Sequence, residues 1–364
     1  MYLEIFSNIF LFLFLMNSPL KLKGKGISRI INSRVIQSPL AGVTDHIFRK
    51  YVRRWAPNSL LFTEMVNASS LNLGYGLQKV NQLKNEDGPV GIQLFDNNLY
   101  SIREAALESE DSGAYIIDIN MGCPVKKIAK KGGGSALINN PKLAVNIVKI
   151  ISKAVRIPVS VKTRIGWSND DKNIENFLLR LQEAGANMIT IHGRSREQGF
   201  SGSANWEIIG ELKEKLDIPI IANGDICNGR DAIECLKITK ADGVMIGRGV
   251  LGAPWIIGEI DSVLNGCKNF NIPNVEDKLN LLIEHIDDLV EEKGNHGLLI
   301  ARKHISWTCK DFCGAKELRN RLVRANTSKE VKELLLNKID SLKNNNYSQN
   351  QLKYEVYFFF NEIS

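Results

Sequence analysis

Eight short apolar runs, rich in β-branched residues, recur along the chain between residues 35 and 246. They occupy 35–38, 60–62, 90–94, 115–119, 159–161, 188–191, 219–222 and 243–246. Their starting points are 24 to 44 residues apart, which is enough chain for a strand followed by a crossover helix. Apolar residues at helical spacing lie between the runs, at 47–55, 143–155, 174–184, 208–216 and 232–238. The pattern predicts alternating strands and helices, and therefore a parallel sheet.

The number of these units distinguishes between two kinds of parallel sheet. Eight units within roughly 220–250 residues are typical of a closed (β/α)8 barrel. The alternative is an open doubly wound sheet, whose first strand is usually followed by Gly-x-Gly-x-x-Gly. That motif does not follow the run at 35–38, so we predict a TIM barrel over residues 30–266. We also expect Asn140 to cap a helix whose first residue is Pro141, since Asn and Pro favour these two positions.

The chain after the barrel has a different pattern. Residues 275–342 contain no run typical of a strand, and apolar residues recur at helical spacing at 279–290 and 298–311. We therefore predict a small all-α domain there. Between Lys293 and Lys338 there are 11 Lys and Arg against 4 Asp and Glu, a surplus that equals the net charge of +7 of the whole chain. Localised positive charge indicates a nucleic-acid contact, although a solvated helical face is the alternative.

Both ends of the chain are predicted to lie outside the two domains, and the cysteines indicate the cellular compartment. We predict that residues 1–29 are an apolar N-terminal extension, because the run at 9–16 is too short to span a membrane. Weak attraction to a membrane surface is the alternative reading of this run. Residues 343–364 are rich in Asn and are predicted to be a tail without a function. Six scattered cysteines without zinc-site spacing favour a reduced, cytoplasmic protein that needs no metal and no membrane.

Polar side chains follow seven of the eight runs, at the strand ends where barrels of this kind carry their chemistry. They are Glu64, Gln93, Asn120, Lys162 with Arg164, His192 with Arg194, Asn223 with Asp225, and Arg248. A buried polar group without a partner costs about 1–3 kcal/mol, so the set predicts a polar ligand at the barrel mouth. Salt bridges across the mouth, such as Glu64 with Arg164, are the alternative and would explain two or three of these residues.

The last two strand ends predict a phosphate site. Gly224, Gly247 and Gly249 let backbone N–H groups approach phosphate oxygens, and Arg248 adds a charged donor. The ring of such a cofactor would lie near Gln93, Lys162 and His192, over a backbone floor at residues 39–42. Spacing alone does not distinguish flavin mononucleotide (FMN) from another phosphorylated ligand.

One cysteine stands where a strand should end. The stretch Asp-Ile-Asn-Met-Gly-Cys-Pro at 118–124 places Cys123 on a short constrained loop. Four lysines follow at 126, 127, 130 and 131, and then three glycines at 132–134. A thiol beside four ammonium groups indicates a reactive group that faces a polyanion. A buried structural cysteine is the alternative, since free cysteines are often buried.

Together these stretches resemble the tRNA-dihydrouridine synthases, a family of FMN enzymes, over roughly residues 35–324. The resemblance rests on the motifs at 38–45, 118–124, 132–137, 160–167, 192–199, 223–225 and 247–249. The intact Asn-x-Gly-Cys-Pro motif is highly specific, and the chain is most similar to the bacterial B type. It departs from the family at Leu40, where methionine is usual, and in its N-terminal extension.

The resemblance implies an oxidoreductase that reduces the C5=C6 bond of specific uridines in tRNA, with bound FMN and NADPH as electron donor. Cys123 would be the proton donor. The FMN ligands would be Pro39, Leu40, Ala41, Gln93, Lys162, His192, Asn223, Gly224, Asp225, Gly247 and Arg248. The tRNA contacts would include Asn120, Arg164, Arg194, Lys126, Lys127, Arg302, Lys303 and Arg321. We expect a monomer.

Two other functions each explain part of the pattern. An FMN barrel acting on a free small molecule, such as a dihydroorotate dehydrogenase, would explain the polar barrel mouth but not the C-terminal charge. An RNA-binding protein without catalysis would explain the charge but would not need Cys123, Lys162 and His192. The motifs do not identify the uridine that is reduced.

Overall fold

A computed structural model describes residues 19–171, 173–267 and 270–361, with side chains described as far as residue 344. The predicted apolar run at 9–16 lies outside these residues. The strands are β1 Leu20–Lys23, β2 Ser28–Ile31, β3 Val35–Gln37, β4 Leu61–Asn67, β5 Val90–Phe95, β6 Ile117–Asn120, β7 Val159–Arg164, β8 Met188–His192, β9 Ile220–Asn223 and β10 Gly243–Ile246. The helices between and directly after strands β3 to β10 are His46–Arg53, Ala68–Asn72, Leu77–Asn81, Leu99–Asp111, Lys126–Ala129, Pro141–Ala154, Ile174–Glu183, Trp206–Lys213, Gly229–Thr239 and Ile256–Leu264.

Strands β3 to β10 form the predicted closed barrel, in which every neighbouring pair is parallel. The barrel closes where β10 pairs with β3, with Met245 opposite Ile36. All eight apolar runs are thus barrel strands. They are apolar almost throughout because a barrel strand is covered on both faces. The predicted helix start is also confirmed: Asn140 accepts a hydrogen bond from the N–H of Leu143 at 3.2 Å, and Pro141 is the first helical residue.

A hairpin of β1 and β2 covers the end of the barrel where the strands begin. Leu20, Leu22 and Ile31 are buried in one cluster with residues of several barrel strands, from Ile36 in β3 to Met245 in β10. The predicted boundary between an extension at 1–29 and a barrel from 30 is therefore too late, since the described part of that extension already belongs to the fold. The alternation of Leu20 and Leu22 with exposed Lys21 and Lys23 is the strand signal that was missed.

The described chain divides into two compact units: residues 19–250 with 254–267, and Leu251–Ala253 with the chain from residue 271 onward. The second unit is built from the helices Val275–Thr308, Ala315–Leu322 and Ser328–Asn361, as the prediction of an all-α region requires. Gly294, with φ 56° and ψ −138°, interrupts the first of them. The predicted segments 279–290 and 298–311 are thus two arms on either side of Gly294. The last helix continues through most of the segment that was predicted to be a tail.

The charge of the second unit is separated along its chain. Residues 275–292 contain seven acidic residues and one lysine, whereas the positive surplus lies entirely after residue 292. Over 275–342 the charges balance, with 12 Lys and Arg against 12 Asp and Glu. The description of 275–342 as a basic domain therefore holds only for its part beyond residue 292. Among the described helices, none is both long enough and apolar enough to cross a membrane.

Candidate active site

The carboxyl ends of the barrel strands surround a cavity of about 450 Å³. Each of the eight barrel strands, or the loop that follows it, contributes to its wall. The structure brings all eleven residues that were predicted to bind the cofactor into this wall: Pro39, Leu40, Ala41, Gln93, Lys162, His192, Asn223, Gly224, Asp225, Gly247 and Arg248. Cys123, Asn120 and Arg164 line the same cavity. The structure thus brings these residues together in one wall, and their roles as ligands stay predictions.

The loop that carries Cys123 is held by Asn120. The side-chain oxygen Oδ1 of Asn120 accepts hydrogen bonds from the backbone N–H groups of Gly122 at 3.1 Å and Cys123 at 2.9 Å. On the other side the Cys123 carbonyl accepts from the N–H of Ser135 at 3.2 Å. Gly134 has φ 59°, and a Cβ there would lie 3.0 Å from the Cys123 carbonyl oxygen. Both features favour glycine at this position, where the glycine run packs closely against the loop that carries Cys123.

A chain of hydrogen bonds continues from Asn120 into the barrel interior. Asn120 Nδ2 donates to Gln93 Oε1 at 2.8 Å, and Gln93 Nε2 donates to Asp118 Oδ2 at 2.7 Å. Ser160 Oγ donates to Asp118 Oδ1 at 2.6 Å. An ionised carboxylate only accepts and a backbone N–H only donates, so the two ends of the chain fix the orientation of both amide side chains between them.

Asp118 and Ser160 are supporting residues to which sequence reasoning assigned no function. Both are fully buried, and each is a polar side chain in the interior of a barrel strand. Asp118 lies two residues before Asn120, and residues two apart in a strand point to the same side. This spacing was the available signal. Burial raises the pKa of Asp118 to about 6, although hydrogen bonds from Gln93 and Ser160 and the charge of Lys162 act in the opposite direction.

Lys162 is a buried cation at the cavity wall. Its Nζ donates to Asn223 Oδ1 at 2.9 Å. Burial, together with the nearby charge of Arg164, lowers the pKa of Lys162 to about 8, although Asp118 acts in the opposite direction. A positive charge at this point favours a ligand that carries or gains negative charge.

Two of the titratable groups at the wall, Cys123 and His192, are held neutral. Burial raises the pKa of the Cys123 thiol, although a backbone hydrogen bond and the charges of Arg164 and Lys162 partly oppose this. The thiol therefore retains its proton at neutral pH. Burial and four surrounding cations, of which Lys162 contributes most, lower the pKa of His192 far below its usual value. His192 is thus a neutral imidazole that can donate or accept a hydrogen bond.

Arg194 does not lie where a substrate ligand should. It is almost fully buried, and its guanidinium donates to both carboxylate oxygens of Asp225 at 2.8 and 2.7 Å. It also donates to the backbone carbonyls of Ser201 and Gly202. The prediction that Arg194 contacts the substrate is therefore wrong in its geometry, because the side chain lies behind the wall and holds Asp225. Burial alone would raise the pKa of Asp225, but Arg194 and the N–H of Ala204 outweigh it and lower that pKa.

Arg164 and Phe200 form the wall beside Cys123. Arg164 donates to the carbonyls of Gly122 at 2.7 Å and Gly199 at 2.8 Å, and so connects the loops after β6 and β8. The ring of Phe200 is more than half exposed, and the guanidinium carbons of Arg164 and Arg248 lie 5.6 and 5.0 Å from its centre. Sequence reasoning missed Phe200, whose only signal is a single aromatic residue in a loop rich in glycine and serine.

The loops after β9 and β10 have the features of a phosphate cradle. Within the described chain, the backbone N–H groups of Gly224, Asp225, Gly247 and Arg248 have no hydrogen-bond acceptor. The Arg248 side chain is half exposed, with one long contact of 3.5 Å to Asp225. Gly224 has φ +122°, and a Cβ there would lie 2.9 Å from the His192 ring. Free N–H groups beside an arginine suit a phosphate group.

The remaining predicted tRNA contacts lie outside the cavity. Lys126 and Lys127 are exposed on a short helix that follows Pro124. Lys303 and Arg321 are exposed in the second unit. Arg302 is only partly exposed and makes a long contact of 3.5 Å with the carbonyl of Ala325.

The chain matches a family model and several named relatives over most of its length. A family model described as dihydrouridine synthase matches residues 36–345. A probable tRNA-dihydrouridine synthase 1 from Synechocystis sp. is 48% identical over 316 residues, which cover 87% of this chain and 89% of that protein. The tRNA-dihydrouridine synthase B of Pasteurella multocida is 36% identical over 279 residues, covering 76% of this chain and 84% of that protein.

The fold has a solved counterpart at low sequence identity. Histamine dehydrogenase from Rhizobium sp. 4-9 is 12% identical, with a TM-score of 0.54 over 76% of this chain and 51% of that chain. At this identity the likeness supports the barrel fold alone. The family model, by contrast, matches most of the chain, and the relatives share more than a third of its residues over most of its length. The chain therefore belongs to the dihydrouridine synthase family.

Proposed function

We propose that this protein reduces the C5=C6 bond of specific uridines in tRNA to 5,6-dihydrouridine, with FMN bound in the cavity and NADPH as electron donor. The observation that carries the proposal is the placement of a protonated thiol across the barrel mouth from a phosphate cradle. Cys123 follows β6, and the cradle follows β9 and β10. In the closed barrel β6 and β10 are four strands apart, the largest separation that eight strands allow.

The residues of the wall fit FMN by their chemistry. The free N–H groups of Gly224, Asp225, Gly247 and Arg248 would hold the phosphate. Pro39, Leu40 and Ala41 would form the floor for the ring, with Gln93, Lys162 and His192 around it. When bound, the flavin would supply a hydride for C6 of the uracil. Lys162 would favour that chemistry because its charge offsets the negative charge of a reduced flavin.

Cys123 would supply the proton for C5 of the base. A general acid must be protonated when the substrate binds and must be able to lose that proton. Burial keeps the thiol protonated at neutral pH, and nearby Arg164 and Lys162 favour the thiolate once the proton has left. The side chain of Asn120 accepts from the N–H of Cys123, and the N–H of Ser135 donates to the carbonyl of Cys123. The loop is therefore fixed on both sides, and the thiol is already in position when the substrate binds.

The exposed cations would bind the tRNA backbone. Lys126 and Lys127 follow the cysteine loop, and Lys303 and Arg321 are exposed in the second unit. Such contacts are independent of sequence and sensitive to salt. The target uridine must leave the base stack to enter the cavity, at a cost of a few kcal/mol, which is smallest for an unpaired base.

The visible spectrum of the purified protein tests this function. We expect flavin bands that bleach with NADPH under anaerobic conditions and return when an unmodified tRNA transcript is added. Return of the bands with free uracil or orotate, but not with tRNA, would indicate an enzyme for a free pyrimidine. A featureless spectrum that added FMN leaves unchanged would indicate an RNA-binding protein without catalysis.

A further inference from the structure

Three large side chains with apolar surface are unusually exposed at one edge of the barrel mouth. Leu73, Tyr75 and Tyr100 are 76%, 72% and 70% exposed. We call them the aromatic edge. Leu73 and Tyr75 lie in the connection after β4, and Tyr100 is the second residue of the helix Leu99–Asp111, which follows β5. Single exposed apolar side chains are ordinary, but a group of them often marks an interaction site.

Hydrogen bonds hold the two parts of the aromatic edge together. Asn72 Nδ2 donates to the carbonyl of Ser101 at 3.1 Å, which joins the residue before Leu73 to the residue after Tyr100. Gly74 and Gly76 flank Tyr75, and both have a positive φ, of 85° and 83°. The exposed tyrosine is therefore presented by a tight turn that other residues would strain.

A buried carboxylate fixes the same two loops to each other. Asp96 accepts hydrogen bonds from Asn67 Nδ2 at 3.2 Å, at the end of β4, and from the N–H of Ser69 at 2.7 Å, in the helix Ala68–Asn72 that follows β4. It also accepts from the N–H groups of Asn97 at 2.8 Å and Asn98 at 3.1 Å, after β5. Four hydrogen bonds to one carboxylate order both loops in advance, so binding at the aromatic edge loses little loop entropy.

Positive charge adjoins the aromatic edge on the side of the cysteine. Asn97 Nδ2 donates to the carbonyl of Lys131 at 2.7 Å and so joins the loop after β5 to residues 126–131. We call residues 126–131 the basic turn. Its four lysines, at 126, 127, 130 and 131, are all exposed. The basic turn follows Val125, which lines the cavity beside Cys123. The basic turn follows β6, and the aromatic edge follows β5 and β4, which are the next two strands of the barrel. The two features are therefore neighbours at the cavity rim.

We propose that the aromatic edge and the basic turn bind an unpaired stretch of the substrate RNA next to the target uridine, with Tyr75 and Tyr100 stacked on bases and the lysines on phosphates. The inference rests on the proposed function. The combination of aromatic faces with a row of cations is how proteins hold single-stranded nucleic acid without reading its sequence. A protein partner or a second copy of this chain would not require four exposed lysines beside the apolar side chains.

Binding of an unmodified tRNA transcript to the flavin-loaded protein tests the stacking. Tyr75→Ala and Tyr100→Ala should each raise the Kd about 5- to 150-fold, the range for loss of one base stack. Tyr75→Phe and Tyr100→Phe keep the aromatic face and should stay within about twofold of the wild type. Ile30→Ala is the matched control, because Ile30 is also exposed, at 52%, but lies in the hairpin at the other end of the barrel.

A fluorescent base reports the stacking without any turnover. With 2-aminopurine placed in turn at each unpaired position near the target uridine, at least one position should lose fluorescence on binding to the wild type but not to Tyr75→Ala with Tyr100→Ala. For the basic turn, Lys130→Ala should reduce the slope of log Kd against log salt by about one. Flavin content and melting temperature should be the same in all variants.

The outcomes separate this inference from the function on which it rests. If the wild type forms dihydrouridine but the tyrosine variants bind tRNA normally, the inference fails and the proposed function stands. If the wild type forms no dihydrouridine, both fail. If the tyrosine variants instead change the oligomeric state measured by light scattering, with RNA binding unaltered, the aromatic edge is a protein contact and the inference is wrong.

Discussion

The side chain of Asn120 accepts a hydrogen bond from the backbone N–H of Cys123 at 2.9 Å, across one turn of the loop that ends β6. The other end of the same amide donates to Gln93 at 2.8 Å. Both ends of Asn120 are therefore engaged within the protein, although the residue lines the cavity and was predicted to bind the substrate. We infer that its first task is to position the thiol, and that any contact with the base adds to this.

Replacement of Asn120 should slow turnover more than it weakens tRNA binding. Asn120→Ala removes the acceptor for two backbone N–H groups and leaves Gln93 Oε1 without its donor. A displacement of about 1 Å in a reacting group can cost about a hundredfold in rate, so we expect kcat to fall by about that factor. Single-turnover assays and Kd measurements check this. Asn265→Ala, at an exposed helix end, is the control. A loss confined to Kd would contradict the positioning role.

Removal of the thiol should slow the reduction of uridine but not the earlier reduction of the flavin by NADPH. General acids contribute about 10²–10⁴-fold to rate, so Cys123→Ala should slow dihydrouridine formation by about that factor. Reduction of the flavin by NADPH should proceed normally, because it needs no proton from this thiol. Stopped-flow spectra separate the two halves. Cys267→Ser, at an exposed cysteine outside the cavity, should behave as the wild type. Unchanged uridine reduction by Cys123→Ala would rule out the assigned role.

The buried carboxylate of Asp118 should make the stability of the folded protein fall as pH rises from 4 to 7. Its pKa is raised from 3.8 to about 6, so between these values the folded state binds more protons than the unfolded state, and stability falls as pH rises. The loss should total up to about 3 kcal/mol. Asp118→Asn should therefore gain stability relative to the wild type from pH 4 to pH 7.

Denaturant unfolding of both proteins at the two pH values gives this difference directly. The carboxylate also orients Gln93 and, through it, Asn120. We therefore expect Asp118→Asn to lose less stability than the wild type between pH 4 and pH 7, and to be less active. If the stability of both proteins changes with pH in the same way, the titration of Asp118 does not cause the loss of stability.

The phosphate cradle predicts that loss of Arg248 weakens the binding of FMN but not the binding of riboflavin. Arg248→Ala removes a charged donor, and hydrogen bonds to charged groups are worth about 1.5–3 kcal/mol. The Kd for FMN should therefore rise about 10- to 100-fold, while the Kd for riboflavin, which lacks the phosphate, should not change. Arg230→Ala on the adjacent helix Gly229–Thr239 is the matched control, because Arg230 is exposed and outside the cavity. Equal weakening of FMN and riboflavin would place the phosphate elsewhere.

The barrel and its wall could be predicted because they follow from local rules. An apolar run that ends in a polar side chain is a barrel strand reaching its rim, and this alone located Gln93, Lys162, His192 and Asn223. The rule fails where a polar residue faces a protein partner instead of the cavity. Arg194 lies directly after β8, much as Arg164 lies at the end of β7. Its guanidinium nevertheless binds the carboxylate of Asp225 and does not line the cavity. Which partner a side chain meets depends on loop conformations that spacing does not encode.

Two other features escaped prediction for different physical reasons. The hairpin of β1 and β2 contains only four residues in each strand, so its alternating pattern is short and stands next to a stronger apolar signal at 9–16. The aromatic edge carries no periodic signal at all, because exposure of Tyr75 and Tyr100 depends on what the folded loops leave uncovered. Both become visible only when distant segments are brought together.

Mass spectrometry of tRNA after reaction tests the central claim most directly. An unmodified tRNA transcript is incubated with the purified protein, FMN and NADPH, digested to nucleosides, and compared with a reaction that contains Cys123→Ala. The account predicts a new nucleoside that carries two more hydrogen atoms than uridine, formed at one or a few positions and nearly absent with the variant. Unaltered uridine throughout the tRNA, in the presence of a flavin that NADPH does reduce, would contradict it.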